Sequence, residues 1–323
     1  MDDYELFRMG SRFPHSRGFP GDPGDGNRSC QPVSGLVAGS NFGEHRIARL
    51  IHAGSSTSVY EVVGRFGGRR YALKTVSDPA LPRAYDLECL RREREFASRL
   101  SHPSLQGIRG QGEVGAIPYF LMTLHSRENA EDLLKGREEL QEAEGLIELA
   151  ARFASVVDAV SALHRSGVVH RDIHPGNILL DAEGRLILTD YSSALNRADR
   201  NLRPDVEPAG DLLYRSPEQL PAGANHYAPA GDVYALGMTL YVLLTGEPPF
   251  FANSLREMGK LKLTRELPSS CRVNPAVPLG LDAIVRQACG IQRCARYPSA
   301  EDMARDLKRF VSRRRRCRNR YAP

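Results

Sequence analysis

No stretch of the chain reaches the ~18 consecutive apolar residues that a membrane-spanning helix requires. The most apolar run, LYVLLTG (240–246), is ended by glycine and the prolines that follow. The N-terminus, MDDYELFRMG, is acidic and carries no apolar signal core, so the expected compartment is the cytoplasm. The six cysteines (Cys30, Cys89, Cys271, Cys289, Cys294 and Cys317) include no CxxC pair. Their wide spacing argues against a disulfide framework and for reduced structural thiols. Cys289 and Cys294 are too few for a zinc site without partners nearby. No internal repeat is present. The folded body also lacks a basic excess. Six arginines in RRRRCRNR (313–320) outweigh the whole net charge of +5, which leaves the remainder at −1. A nucleic-acid-binding body is therefore excluded. Only the tail is basic enough to contact an anionic surface.

What is present is an ordinary globular composition, 41% hydrophobic and 26% charged, in 323 residues. That length holds one large domain or two lobes. Residues 1–45, rich in Gly, Pro, Ser and Arg, read as a disordered leader, and 313–323 as a basic disordered tail. From 46 onward RIARLIHAG, SVYEVVG and RYALKTV read as strands, with hairpin glycines in RFGGR between the last two. A helix follows at 84–100, where Leu87, Leu90, Ala97 and Leu100 share a face with Glu93. A carboxylate on an apolar stripe needs a partner, because an unpaired buried charge is costly. AIPYFLMTL (116–124) is a further strand, and ENAEDLL begins helical structure. Leu149, Phe153, Val156, Val157, Val160 and Leu163 repeat at helical spacing over 145–165. DVYALGMTLYVLLTG (232–246) is apolar nearly all round and predicts a buried helix; 253–262, 280–289 and 299–312 fit further helices. The expected fold is α+β, with a small β-rich lobe (46–124) before a larger α-helical lobe (125–312).

The chemistry concentrates in VVHRDIHPGNILL (168–180) and the ILLDAEGRLILT that overlaps it, ending at Asp190. Strand, Asp-Ala-Glu-Gly turn and strand form a short antiparallel hairpin. The hairpin sets Asn177 and Asp190 beside each other, roughly 5 Å apart between backbones. An amide and a carboxylate side by side are hard oxygen ligands suited to Mg²⁺, and Asp172 enters the same region. Each of the three alone is a common turn residue; their convergence points to a site.

These residues resemble the protein-kinase signature set, in order, over roughly 46–312. The resemblance implies a bilobal protein kinase-like fold, with ATP and Mg²⁺ as cofactors and a protein bearing Ser/Thr hydroxyls as acceptor. It implies that Lys74 of YALK contacts the ATP phosphates and that Glu93 pairs with it. Asp172 of HRD would accept the hydroxyl proton, and Asn177 and Asp190 would hold the metal. SPE (216–218) matches the end of the activation segment, and DVYALG the start of the central helix. Arg296 in RYPSAEDM sits where the family pairs an arginine with the glutamate of that motif, here Glu218. At the adenine end, Val59, Ala72 and Leu179 would sandwich the base. Met122 would be the gatekeeper, and Thr123, Leu124 and His125 the hinge.

The sequence departs from the family in four places. The glycine-rich loop reads His52-Ala53-Gly54-Ser55-Ser56-Thr57-Ser58-Val59, so only Gly54 of three glycines remains. The metal-binding triplet is Asp190-Tyr191-Ser192, which keeps an aromatic plug but has serine for glycine, so less flipping is expected. His174 stands for the usual lysine and Asp211 for the usual threonine. These two are expected to pair, giving an imidazolium near the transferring phosphoryl group and adding His174 to the catalytic set. Finally, 194–213 holds no Ser, Thr or Tyr. Activity without activation-loop phosphorylation is expected, with Asp205 or Glu207 supplying charge to Arg171. The leading function is a Ser/Thr-directed protein kinase. The alternatives are a nucleotide-binding pseudokinase, suggested by these departures, and a small-molecule phosphotransferase, suggested by HPGN. A zinc site at His170 and His174 is disfavoured, because Pro175 opposes a helical pair.

Overall fold

The computed structural model describes residues 36–65, 67–126, 128–134, 140, 142–197, 211–220, 228–252 and 254–320. The first lobe contains β1 (Asn41–Phe42), β2 (His45–Ala53), β3 (Thr57–Gly64), β4 (Arg70–Val76), α1 (Ala84–Arg99), β5 (Ile108–Val114) and β6 (Ile117–Thr123). The strands form one antiparallel sheet in the order β1-β2-β3-β4-β6-β5. Alternation along β4 assigns its side chains to two faces. Leu73 joins Phe42, Ile47, Tyr60, Val62 and Leu121 on one face. Ala72 and Val76 join Leu90 of α1, Phe120 and Met122 on the other. Lys74, in phase with Ala72 and Val76, therefore projects toward α1.

The leader is shorter than the sequence suggested. β1 pairs with the start of β2, and Phe42 enters the sheet core, so 36–45 belong to the fold. Residues 1–35 lie outside the described set. β5, IRGQGEV, escapes a propensity reading because two glycines interrupt it. Its alternating burial and its pairing with β6 come from tertiary context.

The second lobe holds α2 (Ala143–Arg165), β7 (Val168–Val169), β8 (Ile178–Leu180), β9 (Leu186–Leu188), β10 (Leu195–Asn196), α3 (Pro229–Thr245), α4 (Leu255–Thr264), α5 (Ser270–Val273), α6 (Leu279–Ala288) and α7 (Ala300–Arg320). α3 is buried continuously from Gly231 to Thr245, as its all-round apolar sequence requires. It ends at Gly246, whose φ of 85° suits a residue without Cβ. ENAEDLL yields only a single-turn 3-10 helix, Asp132–Leu134. α7 runs well past the expected end at 312, so the arginines from 313 to 320 extend a helix instead of a disordered tail. The physical reason is a partner: α7 lies along α2, with ion pairs Lys308–Asp158 at 2.6 Å and Arg315–Glu148 at 2.7 Å.

Candidate active site

The cleft between the lobes is built around Lys74. Its Nζ lies 2.7 Å from Glu93 Oε1 on α1 and 2.8 Å from Asp190 Oδ1, which follows the β8–β9 hairpin. Burial works to lower the pKa of the ammonium, but Asp190 and Glu93 outweigh it and hold it above its ordinary value. Burial pushes the Glu93 carboxyl up to about 7, against the pull of Lys74. Its Oε1 also accepts the Tyr191 N–H at 3.2 Å, while its buried Oε2 has no hydrogen-bond partner among the described residues. Asp190 is held well below the usual carboxylate range, where Lys74 overcomes the cost of burial. Asp190 takes φ of 64°, so the left-handed turn falls there, and the Ser192 N–H caps Asp190 Oδ1 at 3.1 Å. The Tyr191 hydroxyl donates to the Gln106 carbonyl at 3.2 Å, and its ring meets His170 edge-on at 5.6 Å.

The HRD turn is held from below by Asp232, at the start of the buried helix α3. Asp232 accepts the N–H of His170 at 2.8 Å and of Arg171 at 2.9 Å, and contacts His164 Nε2 at 2.8 Å. Arg171 adopts φ of 70°, a strained value for a residue that carries a Cβ, and these bonds stabilise it. His170 Nδ1 accepts the Asp172 N–H at 3.3 Å, so Nε2 carries the hydrogen that faces the Thr189 carbonyl at 3.2 Å. Burial lowers its pKa, consistent with this neutral tautomer. Both ring nitrogens are engaged, which leaves none for the zinc site weighed from sequence.

Asn177 Nδ2 donates to the Asp172 carbonyl at 3.0 Å and to its Oδ2 at 3.2 Å. The amide is thereby oriented with its oxygen left as an acceptor. Thr189 N–H donates to the Asn177 carbonyl at 2.9 Å, carrying the hairpin pairing to the residue beside Asp190. An ionised carboxylate at Asp190 and an oriented amide oxygen at Asn177 fit a hard cation such as Mg²⁺. Among the described residues, no group of three or more His, Cys, Asp or Glu side chains is placed to hold a metal alone.

The expected His174–Asp211 pair does not form. His174 Nε2 approaches Asp172 Oδ1 at 3.7 Å, and its ring lies 5.7 Å from that of Tyr214. Asp211 Oδ1 accepts the Leu213 N–H at 2.9 Å, so its carboxylate is committed to its own turn. Arg171 Nη1 donates to the Ser193 carbonyl. Asp205 and Glu207 lie outside the described residues.

Of the residues expected to hold adenine, Ala72 and Met122 are buried in one cluster, with Val59 and Leu124 packed on it. Leu179, half-buried on β8, is not part of that cluster. Gln106 Nε2 donates to the Thr123 carbonyl at 3.1 Å, and Gln106 Oε1 lies 2.6 Å from His125 Nε2. Leu124 and His125 make no main-chain hydrogen bond with another described residue, leaving a free polar edge suited to a base. In the loop expected to cover the phosphates, the Gly54 N–H donates to the Thr57 carbonyl at 3.0 Å, and a Cβ at 54 would sit 2.6 Å from that oxygen. The loop is tied down by Ser77, whose N–H donates to the Ser56 carbonyl at 3.0 Å and whose Oγ donates to the Gly54 carbonyl at 2.7 Å. Sequence reasoning missed Ser77 and Gln106, and no local pattern marks either. It also missed the role of Asp232, which a buried carboxylate on an apolar helix signals.

Below the cleft, Glu218 and Arg296 form a two-pronged pair, both contacts at 2.7 Å. A two-lobed cleft with a doubly paired lysine, an oriented Asp–Asn pair and this distal arginine defines a class, the protein kinases. The model of the protein kinase domain family matches residues 46–313, and the chain belongs to that family. It is similar to the serine/threonine-protein kinase PrkC of Bacillus subtilis, 31% identical over 84% of this chain and 41% of PrkC. It is also similar to PknE of Mycobacterium tuberculosis, 29% identical over 82% of this chain and 46% of PknE. The probable kinase PknB of Lactococcus lactis is 29% identical over 83% and 42% of the two chains. The chain thus spans less than half the length of these relatives. Among the described residues, no helix is long and apolar enough to cross a membrane.

Proposed function

We propose that the chain is an ATP-dependent protein kinase that transfers the γ-phosphoryl group to Ser/Thr hydroxyls of a protein. The observation that carries this reading is the joining of two settings at one cleft. Lys74 meets Asp190 and Glu93 on one side, and Asn177 meets Asp172 on the other. Asp172 orients the acceptor hydroxyl and takes its proton as oxygen bonds to the γ-phosphorus and the bond to the ADP oxygen breaks. Lys74, fixed by Glu93, positions the α- and β-phosphates. His174, within 3.7 Å of Asp172, is a donor on the acceptor side of the phosphoryl group. Gly54 and the tethered loop lie over the phosphates. Val59, Ala72, Met122 and Leu179 grip the base, whose edge meets Thr123 to His125. When bound at Asn177 and Asp190, Mg²⁺ neutralises phosphate charge. The similarity to named Ser/Thr kinases supports the acceptor class. Free thiols at the described Cys89, Cys271, Cys289 and Cys294, together with ATP as co-substrate, support the cytoplasm as compartment.

Incorporation of label from γ-labelled ATP into a generic Ser/Thr acceptor tests the proposal. Asp172→Asn is expected to lower kcat by about 10²–10⁴-fold while ATP still binds. Equal incorporation by both proteins removes the enzymatic reading. An ATP-dependent thermal shift with no incorporation by wild type assigns the pseudokinase reading instead.

A further inference from the structure

The acceptor side of the cleft is walled by a segment held from behind. A small pocket beside Asp172 is lined by Asp211, Tyr214 and Arg215, so a polypeptide hydroxyl that reaches Asp172 passes against Leu212–Arg215. Behind this wall lies Lys262 of α4, only 1% exposed. Its Nζ donates to the carbonyls of Leu212 at 2.9 Å, Leu213 at 2.6 Å and Arg215. An ammonium has three donors, and three carbonyls use them all. Those carbonyls accept no hydrogen bond from another described main-chain group, because the segment between Asp211 and Ser216 pairs with no strand. No carboxylate lies within ion-pair distance of Lys262 among the described residues. The Tyr234 ring, 5.1 Å away, faces it and also faces the Arg296 guanidinium at 5.0 Å.

We propose that Lys262 is a positioning residue for the phosphoryl acceptor: its three hydrogen bonds set the main-chain shape of Leu212–Arg215 against which the acceptor polypeptide docks. The inference rests on the kinase reading. It assigns to α4 a task apart from nucleotide binding, since Lys262 touches neither the phosphate loop nor the hinge. Titration offers an independent handle. Burial pulls the Lys262 amine down to about 7. Cys289 and Asp211 oppose that shift, and Arg215 and Arg296 add to it. With Tyr234, these are the titratable groups that face it among the described residues. Loss of its proton removes one of three donors, so the wall loosens as pH rises through neutrality.

The test measures KM for ATP and for a Ser/Thr peptide library in wild type, Lys262→Met and Lys262→Arg. Lys262→Met is expected to raise the acceptor KM about tenfold or more and to leave the ATP KM within about twofold. Wild-type acceptor KM is expected to rise from pH 6 to 8.5, and that rise is expected to vanish in Lys262→Arg, whose charge persists over the range. An unchanged acceptor KM in Lys262→Met, or an equal rise in both KM values, overturns the proposal. If Lys262→Met does not fold, the two pH profiles decide: an identical pH dependence in wild type and Lys262→Arg overturns it equally. Wild type that phosphorylates nothing at any pH defeats the kinase reading, whereas active wild type with indifferent variants defeats only the role of Lys262.

Discussion

Among the described residues two lysines are almost fully buried, and they are buried in opposite ways. Lys74, 4% exposed, faces two carboxylates. Lys262, 1% exposed, faces three carbonyls and no carboxylate among the described residues. Full negative charges offset the desolvation of Lys74 and push its pKa up, whereas at Lys262 burial prevails and draws it down to about 7. The difference teaches that burial alone does not set a charge state; the kind of partner does. It also separates two uses of an ammonium, as a permanent charge held between carboxylates and as a three-pronged donor to main-chain carbonyls.

Breaking the stronger pairing should have the largest effect. Lys74→Met leaves Glu93 buried without its counter-charge, and a loss of about 3–5 kcal/mol in stability is expected in denaturant melts. Phosphoryl transfer should fall by about 10²-fold or more in the same variant, read as label incorporation. The pH dependence of stability sharpens the contrast. Between about 7 and the ordinary 10.5, the unfolded chain binds a proton that folded Lys262 does not. Stability should therefore rise with pH across that window, by at most about 1.4 kcal/mol per unit, and Lys262→Met should flatten the rise. Lys74 contributes with the opposite sign. Its folded pKa is raised, so its contribution is present below 10.5 and is lost only as pH climbs through the higher folded value. Thermal melts from pH 7 to 10 of wild type and Lys262→Met check the sign for Lys262, and equal slopes would contradict the assignment. The smallest effect tests whether the loop above Lys74 depends on Ser77. Ser77→Ala removes the hydrogen bond to the Gly54 carbonyl, and the ATP KM should rise about threefold with the acceptor KM unchanged.

Much of the site was legible because its residues lie close in sequence or on strongly patterned elements. Asp172 and Asn177 share one loop and meet at 3.2 Å, and a short hairpin returns the chain to the Asn177 carbonyl at Thr189, the residue before Asp190. Glu93 stood out as a charge on the apolar stripe of α1. The same rule applied to α4 marks Lys262, which falls one turn after buried Met258 on the same face. The pairing of His174 with Asp211 failed because both were assigned by analogy of position, and a carboxylate two residues from a free N–H closes its own turn first. The tail was misjudged because a run of like charges predicts solvation only where no opposite charge faces it. α2 provides Glu148 and Asp158 in the register that α7 needs.

By itself the sequence determined the order and type of the main elements, the two-lobed division, and the identity of the groups that meet in the cleft. Periodicity and short-range spacing are properties of the chain that survive any long-range arrangement. Only the tertiary structure decided what stands behind those groups: Asp232 under the HRD turn, Ser77 beneath the loop at Gly54, and Lys262 behind Leu212–Arg215. Each of these reaches across tens of residues to satisfy polar main-chain groups that have no local partner. Such debts of an irregular loop are invisible until the fold shows which side chain lies close enough to meet them.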